Sequence, residues 1–136
     1  MKTTLNLILA ANPCGTLPEE DGELLGYLKL LKYLGKVTPD DDPINIIQIL
    51  DSNGAMDAVW CMNTVKDFAQ VDKFLEECCK VFGMDDGYLD SVKKHSLQNL
   101  PYFAVYNAVF NFVRNSSASW KEAIVLLEKT LRGYAK

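Results

Sequence analysis

Apolar residues recur every three or four positions through residues 67–82, and this spacing constrains the fold more than any other feature of the chain. Charged and polar residues fill the intervening positions, so a helix over this segment has one apolar arc and one solvated arc. Residues 5–11 come nearest to the alternation of a strand, but no second strand-like run is present to pair with them. We therefore predict an all-α protein of about seven helices, arranged as an orthogonal bundle or a short helical array.

The length of the chain limits the number of domains, and its charge limits the kinds of partner that it can bind. Its 136 residues are enough for one hydrophobic core and too few for two comfortable ones. The formal charge of -4 disfavours nonspecific binding to nucleic acid or to an anionic membrane surface. No apolar run reaches the ~20 residues that span a bilayer. We predict a single helical domain over residues 1–136, with no nucleic-acid partner and no membrane partner.

The N-terminal segment resembles a secretion signal only in part. A short apolar run follows one lysine, but Asn12 and Pro13 are a poor entry to a cleavage site. Proline also precedes Cys14, where a lipoprotein signal has a small residue. We therefore expect a cytoplasmic protein whose four cysteines remain free thiols in a reducing compartment.

The adjacent Cys78 and Cys79 and the single histidine, His95, are the candidates for a metal or nucleophilic site. Zinc-binding cysteines are usually spaced apart, and the other two cysteines lie in unrelated segments. On the helix predicted for residues 67–82, Cys78 lies on the apolar arc and Cys79 lies at its edge. Both positions suit cysteine as a small apolar residue that packs in the core. His95 falls in the last turn of a predicted helix, where an imidazolium meets the helix dipole. We assign no catalytic residue, no cofactor and no metal ligand.

Polar residues mark the starts of two predicted helices. Ser119 and Glu122 have the spacing of a capping box, in which each side chain bonds the other residue's backbone N–H. Asp42, which precedes a proline, is the predicted N-cap of a short helix over residues 44–50.

Small and polar residues interrupt two apolar runs in ILDSNGAMDAVWC, residues 49–61. Asn53 and Gly54 tolerate positive φ, so they can end the first helix in a left-handed cap. Ser52 or Asn53 is then the predicted cap of the next helix, whose Trp60 faces the core. The stretch therefore has the composition of a corner between two helices, which needs no ligand.

This corner carries a resemblance. ILDSNGAMDAVWCMNTV, residues 49–65, resembles helical proteins of phages and bacterial genomes that have an SNG..DA.WC corner, some of which are labelled immunity proteins. Met62 and Asn63 depart from that pattern, which has leucine and arginine there. The resemblance covers a small part of the chain. It implies a helical protein of a mobile genetic element and assigns no catalytic residue.

Residues 100–114 are apolar on nearly every side, which predicts a helix enclosed by other helices. Asn107, Asn111 and Arg114 are spaced by four and three residues, so they share one face of that helix. If that face is buried, each side chain needs a partner, because an unpaired buried polar group costs about 1–3 kcal/mol. If the face is exposed, it can line a groove or contact another protein.

The loop with Asp40, Asp41 and Asp42 is the other candidate surface. It lacks the spaced ligands and central glycine of an EF-hand, and helix capping and solvation account for its acids. The same acids can steer a basic partner towards the protein. We therefore predict partner-binding residues in two sets, Asn107, Asn111 and Arg114 on the helix and Asp40, Asp41 and Asp42 in the loop.

Our leading hypothesis is a non-enzymatic protein that binds another protein, as an inhibitor or immunity-type factor of a phage or bacterium. A helical core without an assembled catalytic set favours it. Two alternatives remain open. One is a virion or assembly component that self-associates. The other is an enzyme with a site between helices that uses Cys79, His95 or Asp57.

Overall fold

The fold is known from a computed structural model, which describes residues 1–11, 21–95 and 100–134, with only the backbone for 21–25 and 95. Within those ranges the chain forms eight α-helices, and the prediction of an all-α fold is confirmed. The helices are α1 (Leu5–Ala10), α2 (Asp21–Tyr33), α3 (Ile46–Asn53), α4 (Ala55–Cys61), α5 (Phe68–Val81), α6 (Tyr88–His95), α7 (Leu100–Asn115) and α8 (Trp120–Tyr134). A 3₁₀ turn, Met62–Thr64, follows α4.

A two-stranded antiparallel sheet fixes the N-terminal residues. Strand β1 (Lys2–Thr3) pairs with β2 (Ile44–Asn45), and each strand has two residues. The buried hydroxyl of Thr3, in β1, also forms a hydrogen bond with the hydroxyl of Thr64, which lies 61 positions away in the sequence. The sheet is too short to change the fold class, but it ties the first residues to the middle of the chain.

The start of α3 differs from the prediction. Asp42 is not its N-cap, because Ile44 and Asn45 belong to β2 and the helix begins at Ile46. Asn45 is the cap: its Oδ1 accepts the Ile47 N–H at 2.9 Å, and its own N–H donates to Gln48 Oε1 at 2.9 Å. The local sequence predicts that the helix starts at residue 44. Residues 44 and 45 instead form a strand because they pair with β1, and this pairing cannot be read from the local sequence.

The corner between α3 and α4 is built on Gly54, which has a φ of 96° and a ψ of 173°. The predicted positive φ is therefore found, but Ser52 and Asn53 do not cap α4. Asn53 instead ends α3, and its Nδ2 donates to the carbonyl of Gly26 in α2 at 2.7 Å. A Cβ on Gly26 would lie 3.3 Å from that nitrogen, so the absence of a side chain there lets α2 approach the corner closely.

Trp60 is less buried than predicted. The fully buried positions of α4 are taken by Ala58 and Val59, and Trp60, one position further on, packs against the core with part of its ring exposed. Its Nε1 is buried and has no hydrogen-bond partner in the described part of the chain. Small residues therefore set the inward face of α4, and the tryptophan lies at its margin.

The core is organised around α7, which packs against α4, α5, α6, α8 and the 3₁₀ turn. The inward side of α7 has mostly small residues, which let the neighbouring helices come close. These buried residues are Pro101, Ala104, Val105, Ala108 and Val109. Within the described ranges, no helix combines the length and apolar character needed to cross a membrane.

The conformation of Gly54 generates a stability prediction. Gly54→Ala should lower the free energy of unfolding by about 1–3 kcal/mol, because residues with a Cβ are strained in this region of φ and ψ. Gly133→Ala is the matched control, since Gly133 lies within α8 and an added Cβ there meets no atom within 4 Å. Denaturant titration followed by circular dichroism measures both. Equal midpoints for the two variants would contradict the strain at the corner.

Candidate functional site

The outward side of α7 is exposed to solvent, so the prediction that this helix is enclosed is wrong for that side. Phe103 and Phe110 are 44% and 49% exposed, and Tyr106 is 39% exposed. Asn107 and Arg114 are exposed with them. Successive members of this set are three, one, three and four residues apart, which places all five side chains on one arc of the helix. We call this set, Phe103, Tyr106, Asn107, Phe110 and Arg114, the outer face of α7.

The opposite side of the helix holds this face in position. Val105 and Val109 are buried in the core, and Phe112 packs edge-to-face on Phe82 with ring centroids 5.4 Å apart. Tyr88 of α6 donates its hydroxyl to the Ala104 carbonyl at 2.7 Å. Burial raises the pKa of Tyr88 to about 12, so the phenol keeps the proton that it donates. The outer face is therefore carried by a firmly packed helix.

Trp120 extends the outer face onto α8. Its ring centroid lies 5.5 Å from that of Tyr106, which in turn stacks on Tyr102 at 5.9 Å. The predicted capping box is confirmed: the Glu122 N–H donates to Ser119 Oγ at 3.1 Å, and the Ser119 N–H donates to Glu122 Oε1 at 3.3 Å. This cap fixes the first turn of α8 and therefore the position of Trp120, which is 38% exposed.

The polar residues predicted on this helix are in or near solvent. Asn107 and Arg114 are exposed, and Asn111 is half-buried at the edge of the outer face. Within residues 1–11, 21–95 and 100–134, none of these three side chains forms a hydrogen bond or an ion pair with another protein group. Of the two alternatives for this stripe, the structure therefore has the exposed one for Asn107 and Arg114. No described residue occupies the donors and acceptors of these two side chains.

The acidic loop is used internally. Lys36, which follows the end of α2, pairs with Asp40 at 2.5 Å and with Asp42 at 2.7 Å, while the Asn6 amide donates to Asp41 at 3.0 Å. The hydrogen bond from Lys36 is the main reason that the pKa of Asp40 lies below its ordinary value. The loop thus joins α1 to the end of α2, and part of its charge is already neutralised.

The cysteines are placed as small apolar residues. Cys61 and Cys78 are buried, and Cys79 is half-buried. Burial raises the pKa of the Cys61 thiol to about 12 and also raises the pKa values of Cys78 and Cys79. A thiol with a raised pKa is a poor nucleophile and a poor metal ligand near neutral pH, because the thiolate is the reactive form.

Two of the three side chains named for the enzyme alternative, Cys79 and Asp57, are described by the structure. Asp57 is exposed and accepts a hydrogen bond from Asn53 at 3.2 Å, as part of the corner between α3 and α4. The side chain of His95 and the whole of Cys14 lie outside the described residues. Across the described part of the chain, no group of three or more His, Cys, Asp or Glu side chains is arranged to hold a metal ion.

The aromatic residues of the outer face were not among the predicted site residues. Their signal is nevertheless present in the sequence, since small and large apolar residues segregate along α7. The small side chains of Ala104 and Ala108 fall on one side, and the rings of Phe103 and Phe110 fall on the other. A helix whose small residues pack inward has its large rings on the outside, and such a ring cluster is typical of an interaction surface.

Comparison with protein-family models, with curated proteins and with solved structures finds no match to this chain. The geometry of the outer face of α7 is therefore the basis for any proposal about function.

The Lys36 cluster predicts a pH-dependent stability. Because the folded pKa of Asp40 is depressed, its contribution is present above the ordinary value of 3.8 and is lost as the pH falls through the folded pKa. Lys36→Met should therefore unfold at lower urea concentration than the unmodified protein at pH 7, and this gap should close as the pH falls below about 4.

Lys29→Met is the control for this prediction. Lys29 is an exposed lysine of α2, the helix that precedes Lys36, and no described residue forms an ion pair with it. Its variant should show no gap that depends on pH. A gap for Lys36→Met that is as wide at about pH 3 as at pH 7 would contradict the assignment to carboxylate pairing.

Burial of the thiols predicts slow labelling. In a Cys14→Ser, Cys79→Ser variant, the remaining Cys61 and Cys78 should react with a thiol reagent about a hundredfold more slowly in the folded protein than in urea, because reaction requires opening of the core. The release of a chromogenic thiol measures this directly. Full labelling before the unfolding transition would show that these cysteines are accessible.

Proposed function

We propose that this protein is a non-enzymatic factor that binds another protein through the outer face of α7. One observation carries the proposal: exposed aromatic rings lie beside Arg114, which no described residue pairs with, on a helix that is otherwise packed into the core. Aromatic residues and arginine are the types most enriched at the energetic centres of interfaces.

The packing of the face supports tight binding. Phe103 and Phe110 each have nearly half of their surface in water, and covering the remainder is worth about 1 kcal/mol for each ring. Trp120 is held by a helix cap and Tyr106 by its neighbouring rings, so little side-chain freedom is lost when a partner covers them. Binding at this surface therefore loses little side-chain conformational entropy.

A protein that covers part of another protein can inhibit it, and inhibition is the form of binding that we propose. The resemblance of residues 49–65 to phage and bacterial proteins labelled as immunity proteins supports this form. The corner itself is occupied by internal contacts, since Asn53 binds Gly26 and Asp57. Recognition is therefore assigned to α7 and not to the corner.

Photocrosslinking in the host cell tests this proposal. A benzophenone amino acid replaces Phe110 in one variant and Val37 in a control, because Val37 is 93% exposed and lies in a loop after α2. Irradiation should give a crosslinked species for position 110 and none for position 37, and mass spectrometry identifies the partner. Equal crosslinking at both positions, or none at position 110, would contradict the assignment. A crosslinked species with twice the mass of the chain would favour self-association instead.

A second change tests the role of the arginine. Arg114→Ala should weaken the captured complex by about 2 kcal/mol or more, because the guanidinium makes directed hydrogen bonds that alanine cannot make. Lys29→Ala, which removes an exposed cation from α2, is the control and should leave the affinity unchanged. Titration of the identified partner by calorimetry measures both variants. An unchanged affinity for Arg114→Ala would remove this residue from the interface.

A further inference from the structure

The spacing of the rings defines the shape of what can cover them. Phe103 and Phe110 are seven residues apart on α7, which corresponds to about 10.5 Å along the helix axis. A second α-helix presents side chains at i and i+7 with the same separation, and residues at i+3 and i+4 between them reach Tyr106 and Asn107. A β-strand cannot match it on one face, since its same-side residues are spaced by about 6.7 Å. The outer face therefore fits a helix.

The charge of the outer face is opposite in sign to that of the chain. The protein has a formal charge of -4, yet α7 contains no Asp or Glu, and Arg114 is its single charged residue. Arg114 lies one turn beyond Phe110, and no ion pair to it is formed by the part of the chain that the structure describes. A covering helix that brings a carboxylate to this end can complete a charge-assisted pair with the guanidinium.

From these two observations we infer that the occupant of the outer face is an amphipathic, acidic helix of the partner protein. Aliphatic side chains at i, i+3 or i+4 and i+7 cover the rings from Phe103 to Phe110, and a carboxylate one turn further on pairs with Arg114. This inference rests on the proposed function and names the partner's binding element. A second copy of α7 fits less well, because it brings another arginine and no carboxylate.

Two synthetic peptides test the inference. Each has about 20 residues, enough to form a helix, with leucines at i, i+4, i+7 and i+11. In one peptide the flanking positions are glutamate and glutamine, and in the other they are lysine and glutamine. Fluorescence anisotropy with the full chain at physiological salt measures their affinities. The glutamate peptide should bind about tenfold more tightly than the lysine peptide.

The predicted order of affinities, with the glutamate peptide tighter than the lysine peptide, is the reverse of the order expected from the net charge of the protein alone. A chain of charge -4 attracts the lysine peptide nonspecifically, so a preference for that peptide, or binding of neither, would overturn the inference. Arg114→Glu should reverse the preference, and Phe110→Asp should abolish binding of both peptides. Val37→Asp, which changes an exposed apolar residue outside α7 in the same way, should bind like the unmodified protein. Circular dichroism verifies that each variant is folded.

The outcomes separate this inference from the proposed function. If neither peptide binds but a benzophenone at position 110 still captures a protein, the acidic helix is wrong and protein binding through α7 stands. If the crosslink also fails, both are wrong. Binding of the glutamate peptide that survives Phe110→Asp would place its site elsewhere and overturn the inference.

Discussion

The packing of α7 against α4, α5, α6 and α8 holds the core of this protein together. Small side chains such as Ala104 and Ala108 allow this close approach, so that the larger apolar residues of the neighbouring helices are buried, and burial of apolar surface is the main favourable term in folding. The same arrangement leaves the other side of α7 uncovered, because its neighbours pack against the inward arc. The exposed rings of Phe103 and Phe110 follow from the way the core is built.

Much of this fold is readable from the sequence, because amphipathic spacing and caps act over a few residues. The Ser119 cap and the positive φ of Gly54 are examples. The features that sequence reasoning missed depend on residues far apart in the chain. The strand at Ile44 exists through its pairing with β1, and Asn53 bonds a carbonyl 27 positions away. The exposure of α7 likewise depends on which neighbours cover it, and an all-round apolar pattern does not contain that information.

The two predicted sets of binding residues differ in what the fold requires of them. The acids of the loop are tied to Lys36 and Asn6, so a partner that used them would first have to replace those contacts. Arg114 has no such contact among the described residues, and the rings beside it are partly in water. Binding a partner at the outer face of α7 therefore breaks no described contact, whereas binding at the acids of the loop breaks contacts that stabilise the fold. Because of this difference, we propose recognition through α7 and not through the loop.

Hydroxyl-radical footprinting measures whether a partner covers the outer face of α7, because aromatic side chains react readily and each ring reports its own exposure. In the purified protein, Phe103, Phe110 and Trp120 should be oxidised at rates comparable to Tyr33, an exposed ring on α2. In the partner complex isolated from host cells, the first three should be protected several-fold while Tyr33 is unchanged. Equal oxidation of all four rings in the free protein and in the complex would contradict the assignment of the outer face of α7 as the binding surface.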